Sequence, residues 1–367
     1  MAFSNNFIMV FMPFYILKIS PLSHQATMLW IGMIMGGASM ATTLAAPFWG
    51  GLTARMSPKF LYERAMFCSA VILLLMGFAD NIYMLFVMRV IQGAVGGAST
   101  IGLILTSALS PPEKIRGNMS LFQNSITAGQ LLGPPAGAFT AGLLGYHFPF
   151  YMAFAMMFTF LIFCHFNVRH IPPQGEHPRA GASLKKSLLF GWFLIMIGTV
   201  HLTFLPSILP HITGTFHMSE KEGLSAAGII MMTYTGSSIL GSYVLCRLST
   251  RIGLTKIMTT ALLMAAVFQV LLVFSGGAVS FVVLRMLQCA FIAAVFPLTI
   301  SIFARQVSGR MIGFLNAARF FGNAVGPLLA TSILAYADLF TLYLVIAGLT
   351  LCSLWFFLTS MQTEEEI

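Results

Sequence analysis

Apolar residues in this chain run on for about 20 positions at a time instead of alternating with polar ones. Twelve such stretches can be marked, at 2–17, 27–51, 63–79, 82–107, 120–145, 148–168, 187–211, 224–247, 256–276, 279–304, 312–336 and 338–360. Each is expected to be a helix. About 17 residues suffice to cross the hydrocarbon core of a bilayer, so every stretch but the first is long enough. The first, 2–17, reaches only ~24 Å at 1.5 Å per residue. It is expected to be a short helix or the remainder of one cut at its N-terminus.

The pattern is written twice. Leu85-Phe86-Val87-Met88-Arg89-Val90-Ile91-Gln92 returns as Phe281-Val282-Val283-Leu284-Arg285-Met286-Leu287-Gln288, at an offset of 196 from Arg89 to Arg285. Gly129-x-x-x-Gly133-Pro134 returns as Gly322-x-x-x-Gly326-Pro327, at an offset of 193. The repeats predict an N-terminal six-helix bundle over 1–168, a linker over 169–186, a C-terminal bundle over 187–360 and an acidic tail over 361–367. A duplicated membrane bundle with polar groups at matching depths is what a secondary transporter requires.

Composition removes the other classes. The chain is 58% hydrophobic and 8% charged, far from the quarter expected of a soluble domain. Its net charge of +9 forms neither a stripe nor a tail, so nucleic acid is not an expected partner; a lipid bilayer is. Fourteen of the nineteen basic residues lie in loops after even-numbered stretches, and only Lys18 and Lys221 lie in the odd loops. The positive-inside rule then places the even loops and both termini in the cytoplasm. The five cysteines show no metal-ligand spacing, and the stretches hold no nucleophile–base pair. Neither a cofactor nor an enzymatic activity is therefore expected.

Three ordered motifs carry a resemblance. The loop after the second stretch holds Gly51, Leu52, Arg55 and Lys59, with Arg251 as its echo; the fourth stretch holds Arg89, Gln92 and Gly93; the fifth holds Gly129, Gly133, Pro134 and Gly137, echoed by Gly326 and Pro327. In these features the chain resembles the major facilitator superfamily, in particular the twelve-span drug:proton antiporters of bacteria. The resemblance implies an all-α membrane protein with two pseudo-symmetric six-helix bundles in the inner membrane, working by alternating access as a monomer. It also implies that the fifth-stretch glycines act as a central seal that favours export. A plain packing groove is the simpler reading of the same glycines.

The candidate pathway residues are Arg89, Gln92, Gln123, His201, Arg285, Gln288, Asn316, Arg319 and Asn323. Arginine in hydrocarbon costs at least ~2.5 kcal/mol, so a chain that keeps three is expected to use them. Arg89, Gln92, Gly93 and Gly96 share one helix face, as do Asn316, Arg319 and Asn323. The alternative for Arg89 is a brace to neighbouring carbonyls. His201, the one histidine well inside a stretch, could carry a proton. All ten acidic residues fall outside the apolar cores, and Ala54 stands where the loop motif has its aspartate. Coupling therefore falls to His201 or an ionisable substrate, or is absent. A cavity lined by arginines suits an anionic or neutral small molecule, such as a carboxylate-bearing siderophore. Export of a drug or siderophore is the leading expectation; import of an anionic metabolite or siderophore on the same scaffold is the alternative.

Overall fold

The computed structural model describes residues 1–111, 114–173, 186–303 and 309–365. All regular structure among them is helical: α1 (Ala2–Phe7), α2 (Phe11–Ile19), α3 (His24–Leu52), α4 (Pro58–Met76), α5 (Ile82–Ala94), α6 (Ala98–Leu109), α7 (Ile115–Leu144) and α8 (Phe148–Asn167) in the first repeat. The second repeat supplies α9 (Lys186–Thr203), α10 (Leu205–Thr215), α11 (Glu220–Ile252), α12 (Leu254–Leu271), α13 (Ala278–Ile292), α14 (Val295–Phe303), α15 (Gly309–Tyr336) and α16 (Leu339–Glu365). Much of the expected linker lies outside the described residues, and α16 carries the helix into the expected tail.

Four of the stretches read as single helices are interrupted, and the interruptions repeat. The first breaks at 8–10 and the seventh at Phe204; the fourth breaks at 95–97 and the tenth at 293–294. Residues 8 and 204 are 196 apart, and so are 97 and 293. Each break has a local cause. Pro13 and Pro297 have no N–H to offer the carbonyls of Met9 and Ala293, four residues back, and Pro206 enters α10 in its first turn. Gly97 adopts φ +87°, a left-handed conformation that costs glycine little. The carbonyls freed at the end of α5 find new donors. Trp49 Nε1 bonds Ala94 O at 2.7 Å, and Arg64 Nη2 bonds Val95 O at 2.9 Å while its guanidinium stacks 3.3 Å from the Trp49 ring.

The helices gather into two compact units. One comprises 1–22, 33–180 and 219–228; the other comprises 23–32, 181–218 and 229–367. Within the first, α1 packs chiefly on α7 and α4 on α8; within the second, α9 packs on α15 and α12 on α16. The pairings are the same in repeat terms. Large apolar side chains also cover the outside: Phe166, Val279, Leu44 and Phe274 are each at least 75% exposed. A water-soluble surface does not carry so many large exposed apolar side chains, whereas a bilayer solvates them. Eight helical segments among the described residues are long and apolar enough to cross a membrane. The remaining four stretches also form helices, but one is the broken first stretch and the others carry charged or amide side chains in α4, α7 and α15.

Candidate functional site

Glycine spacing explains how the first helix of each repeat is held. Gly129, Gly133 and Gly137 lie on one face of α7, and a Cβ built on any of them would strike the backbone of α1: Phe3 N at 2.6 Å for Gly129, Phe3 O at 2.9 Å for Gly133, and the Phe7 carbonyl for Gly137. The helix runs unbroken through Pro134 and Pro135. The echo in α15 does the same for α9, where Gly322 meets Met196 O at 2.7 Å and Gly326 meets Thr203 and Phe204. The motif is thus, in geometry, a backbone-to-backbone groove in both repeats.

That close approach sets α1 beside α5. Arg89 Nη1 donates to Gln92 Oε1 at 2.8 Å, one turn along its own helix, and Arg89 Nε reaches Ile34 O on α3 at 3.4 Å. Nη2 lies 3.8 Å from Met9 Sδ, in the break between α1 and α2. Gln92 Nε2 approaches Asn5 Oδ1 at 3.5 Å. Apart from the 2.8 Å bond these contacts are long, and Arg89 and Gln92 keep 6% and 7% exposure. The guanidinium therefore has donor capacity to spare.

The second repeat builds the same constellation tightly. Arg285 Nη1 donates to Gln288 Oε1 at 2.6 Å, and Nη2 donates to His201 O. Gln288 Nε2 is bonded to His201 Nδ1, and His201 Nε2 to Thr350 Oγ1 at 2.6 Å. Thr350 then donates to Ile346 O. The Phe204 and Tyr234 rings lie 4.8 Å and 4.9 Å from the Arg285 guanidinium, within reach of a cation–π attraction. Arg285, Gln288, His201 and Thr350 all have 0% exposure, so this arginine is enclosed and does not face an open cavity. Gln269 of α12 is equally buried, and neither its side-chain amide nor Arg285 Nε makes a hydrogen bond of good geometry. His201 and Asn5 are 196 residues apart, so the same step that relates the arginines relates their partners.

The remaining candidates divide. Arg319 lies 4.5 Å from the Phe296 ring, half-buried, with Asn323 on the same helix also half-buried. The Asn316 side chain lies outside the described residues. Gln123 is exposed, apart from the Arg89 group. Of the loop motif, Gly51 has no neighbour within 4 Å of a would-be Cβ, Arg55 and Arg251 are exposed, and Lys59 ties α4 to the end of α8 through His165 O at 2.7 Å. Lys59 also pairs with Glu63 at 3.5 Å. Sequence reasoning missed Asn5, Met9, Thr350 and Gln269 as members of the two clusters. The 196-residue step from His201 points straight to Asn5; nothing in the sequence singles out Thr350 or Gln269.

The Major Facilitator Superfamily model matches the chain twice, over residues 1–207 and 188–366. Multidrug resistance protein MdtG of Klebsiella pneumoniae (strain 342) is 26% identical over 366 residues, covering 94% of this chain and 87% of its own. MdtG of Citrobacter koseri is 27% identical over 381 residues, covering 98% and 92%. Among solved structures, a D-xylose–proton symporter superposes with TM-score 0.75 at 14% identity, covering 97% of this chain and 94% of its own. The nucleoside transporter NupG superposes with TM-score 0.72 at 16% identity, covering 98% of both chains. At such identities the structures speak for the fold.

Proposed function

Because the chain belongs to the major facilitator superfamily, we propose that this multi-pass secondary transporter exports small amphipathic molecules, drugs or siderophores, from the cytoplasm of a bacterium. The observation that carries the reading is the match to multidrug resistance proteins along 94% or more of the chain. The cargo is anionic or neutral. The Arg89 guanidinium has unfilled donor positions beside a broken helix, and interrupted helices mark binding sites in transporters. No acidic residue falls in the apolar cores of the twelve stretches, Glu63 and Asp338 standing at the first position of theirs, so a carboxylate on the cargo would supply the counter-charge to Arg89, Arg285 and Arg319. The protein works as a monomer in the inner membrane with both termini inside, and export is coupled to protons moving the opposite way.

Import of an anionic metabolite or siderophore is the second reading, favoured by the same arginine. Everted membrane vesicles given a pH gradient, acid inside, separate the two. Export predicts that a carboxylated fluorescent dye accumulates inside them above its level in vesicles lacking the protein. Accumulation only in right-side-out vesicles would establish import.

A further inference from the structure

Donor and acceptor accounting settles the state of His201. Arginine has donors only, so Gln288 must turn its oxygen toward Arg285. The Cys289 thiol, 3.3 Å from the same oxygen, presses in the same direction. The Gln288 amide nitrogen is then left facing His201 Nδ1, and an amide NH2 can only donate. Nδ1 must accept, so the ring proton sits on Nε2 and is given to Thr350, whose own hydroxyl is spent on Ile346 O. Each link has one direction, and the direction originates at Arg285.

We infer that His201 is held as the neutral Nε2–H tautomer by the Arg285–Gln288 pair, and serves as a positioning residue that locks α9 to α13 and α16 and not as the proton carrier of transport. A second proton would have to enter at Nδ1, against the Gln288 NH2 and beside the Arg285 charge. Among the described residues, no negatively charged group around it offers relief. Arg285 on α13 is the charged side chain that faces it, Gln269 on α12 is its uncharged neighbour, and Tyr234 of α11 lies against the guanidinium. No carboxylate among the described residues joins them. In the first repeat Asn5, a group that cannot titrate, stands in the position of His201, with Gln92 Nε2 3.5 Å from its Oδ1.

Nitrogen-15 NMR of histidine-labelled protein in nanodiscs tests this without any transported substrate. His201 is identified as the resonance protected from a soluble paramagnetic agent. The expected spectrum has Nδ1 unprotonated and Nε2 protonated, unchanged between about pH 8 and pH 5, where a free imidazole titrates. An imidazolium signal in that range, or a proton on Nδ1, overturns the inference. A second arm, which rests on the transport reading, uses His201→Asn, whose Oδ1 can accept from Gln288 as Asn5 does from Gln92. The pH profile of dye transport keeps its wild-type shape in this variant, whereas His201→Ala, which strands the Gln288 amide, loses thermal stability. A profile flattened by His201→Asn would overturn the inference even where the transport reading survives.

Discussion

Replacing Gly137 by alanine puts a methyl group on the backbone of α1, and the same replacement at Gly142 of the same helix puts one in ordinary space. At Gly137 the new carbon coincides with the Phe7 carbonyl; at Gly142 the nearest atom it meets is Leu224 Cδ2 at 3.9 Å. Both substitutions remove a glycine from a helix interior, which is worth about 1 kcal/mol in favour of alanine. Overpacking costs about 1–3 kcal/mol, toward the upper end where the struck atom is backbone and cannot turn aside. Gly142→Ala should therefore stabilise by up to ~1 kcal/mol and Gly137→Ala should destabilise by about 2 kcal/mol, a separation of about 3 kcal/mol between two chemically identical changes. Thermal unfolding of the two purified variants in one detergent measures it. Transport should fall with Gly137→Ala, because α1 carries Asn5 and leads into the break at Met9. Equal stability for the two variants would refute the packing groove.

Two further outcomes follow from the helix ends. Asp338 accepts from Thr341 N at 2.9 Å at the start of α16, and this bond with the Thr341 hydroxyl holds its carboxyl below the usual carboxylate range. A depressed carboxyl stabilises the fold above its unfolded pKa and ceases to do so as pH falls through the folded one. Asp338→Ala should accordingly lower the melting temperature at neutral pH, Asp338→Asn much less, and the gap between wild type and Asp338→Ala should close in strong acid. Trp49→Phe keeps a ring against Arg64 but drops the bond to Ala94 O, and should cost about 1 kcal/mol in the same unfolding assay.

Fold and site are legible in the sequence to different depths. Runs of apolar residues need only one dimension to be seen, so the spans, the repeat and the two arginine–glutamine pairs can be read directly. The interruptions are harder to read, because a membrane helix with one proline or a glycine pair commonly stays whole. Only their recurrence at a fixed step shows that they are built in. Asn5 looks like an ordinary polar residue near a chain end until α1 is seen lying against α7. Gln123, by contrast, shares a helix with the glycine motif and still points away, since sharing a helix is not sharing a face. The repeat in sequence also overstates the equality of the two arginines. Arg89 is buried in long, slack contacts while Arg285 is sealed between rings, and what separates them is the set of side chains brought in by other helices.

Reconstituting the protein in liposomes and comparing fluorescent cargoes of opposite charge tests the account where it is most exposed. The wild type should move a carboxylated dye in preference to an ethidium-like cation. Arg89→Met should lose the carboxylated dye by at least ~10-fold, the loss of one charged hydrogen bond of about 1.5–3 kcal/mol, while sparing neutral cargo. Wild-type protein that carries the cation as readily as the carboxylate, or an Arg89→Met variant with undiminished carboxylate flux, would contradict it.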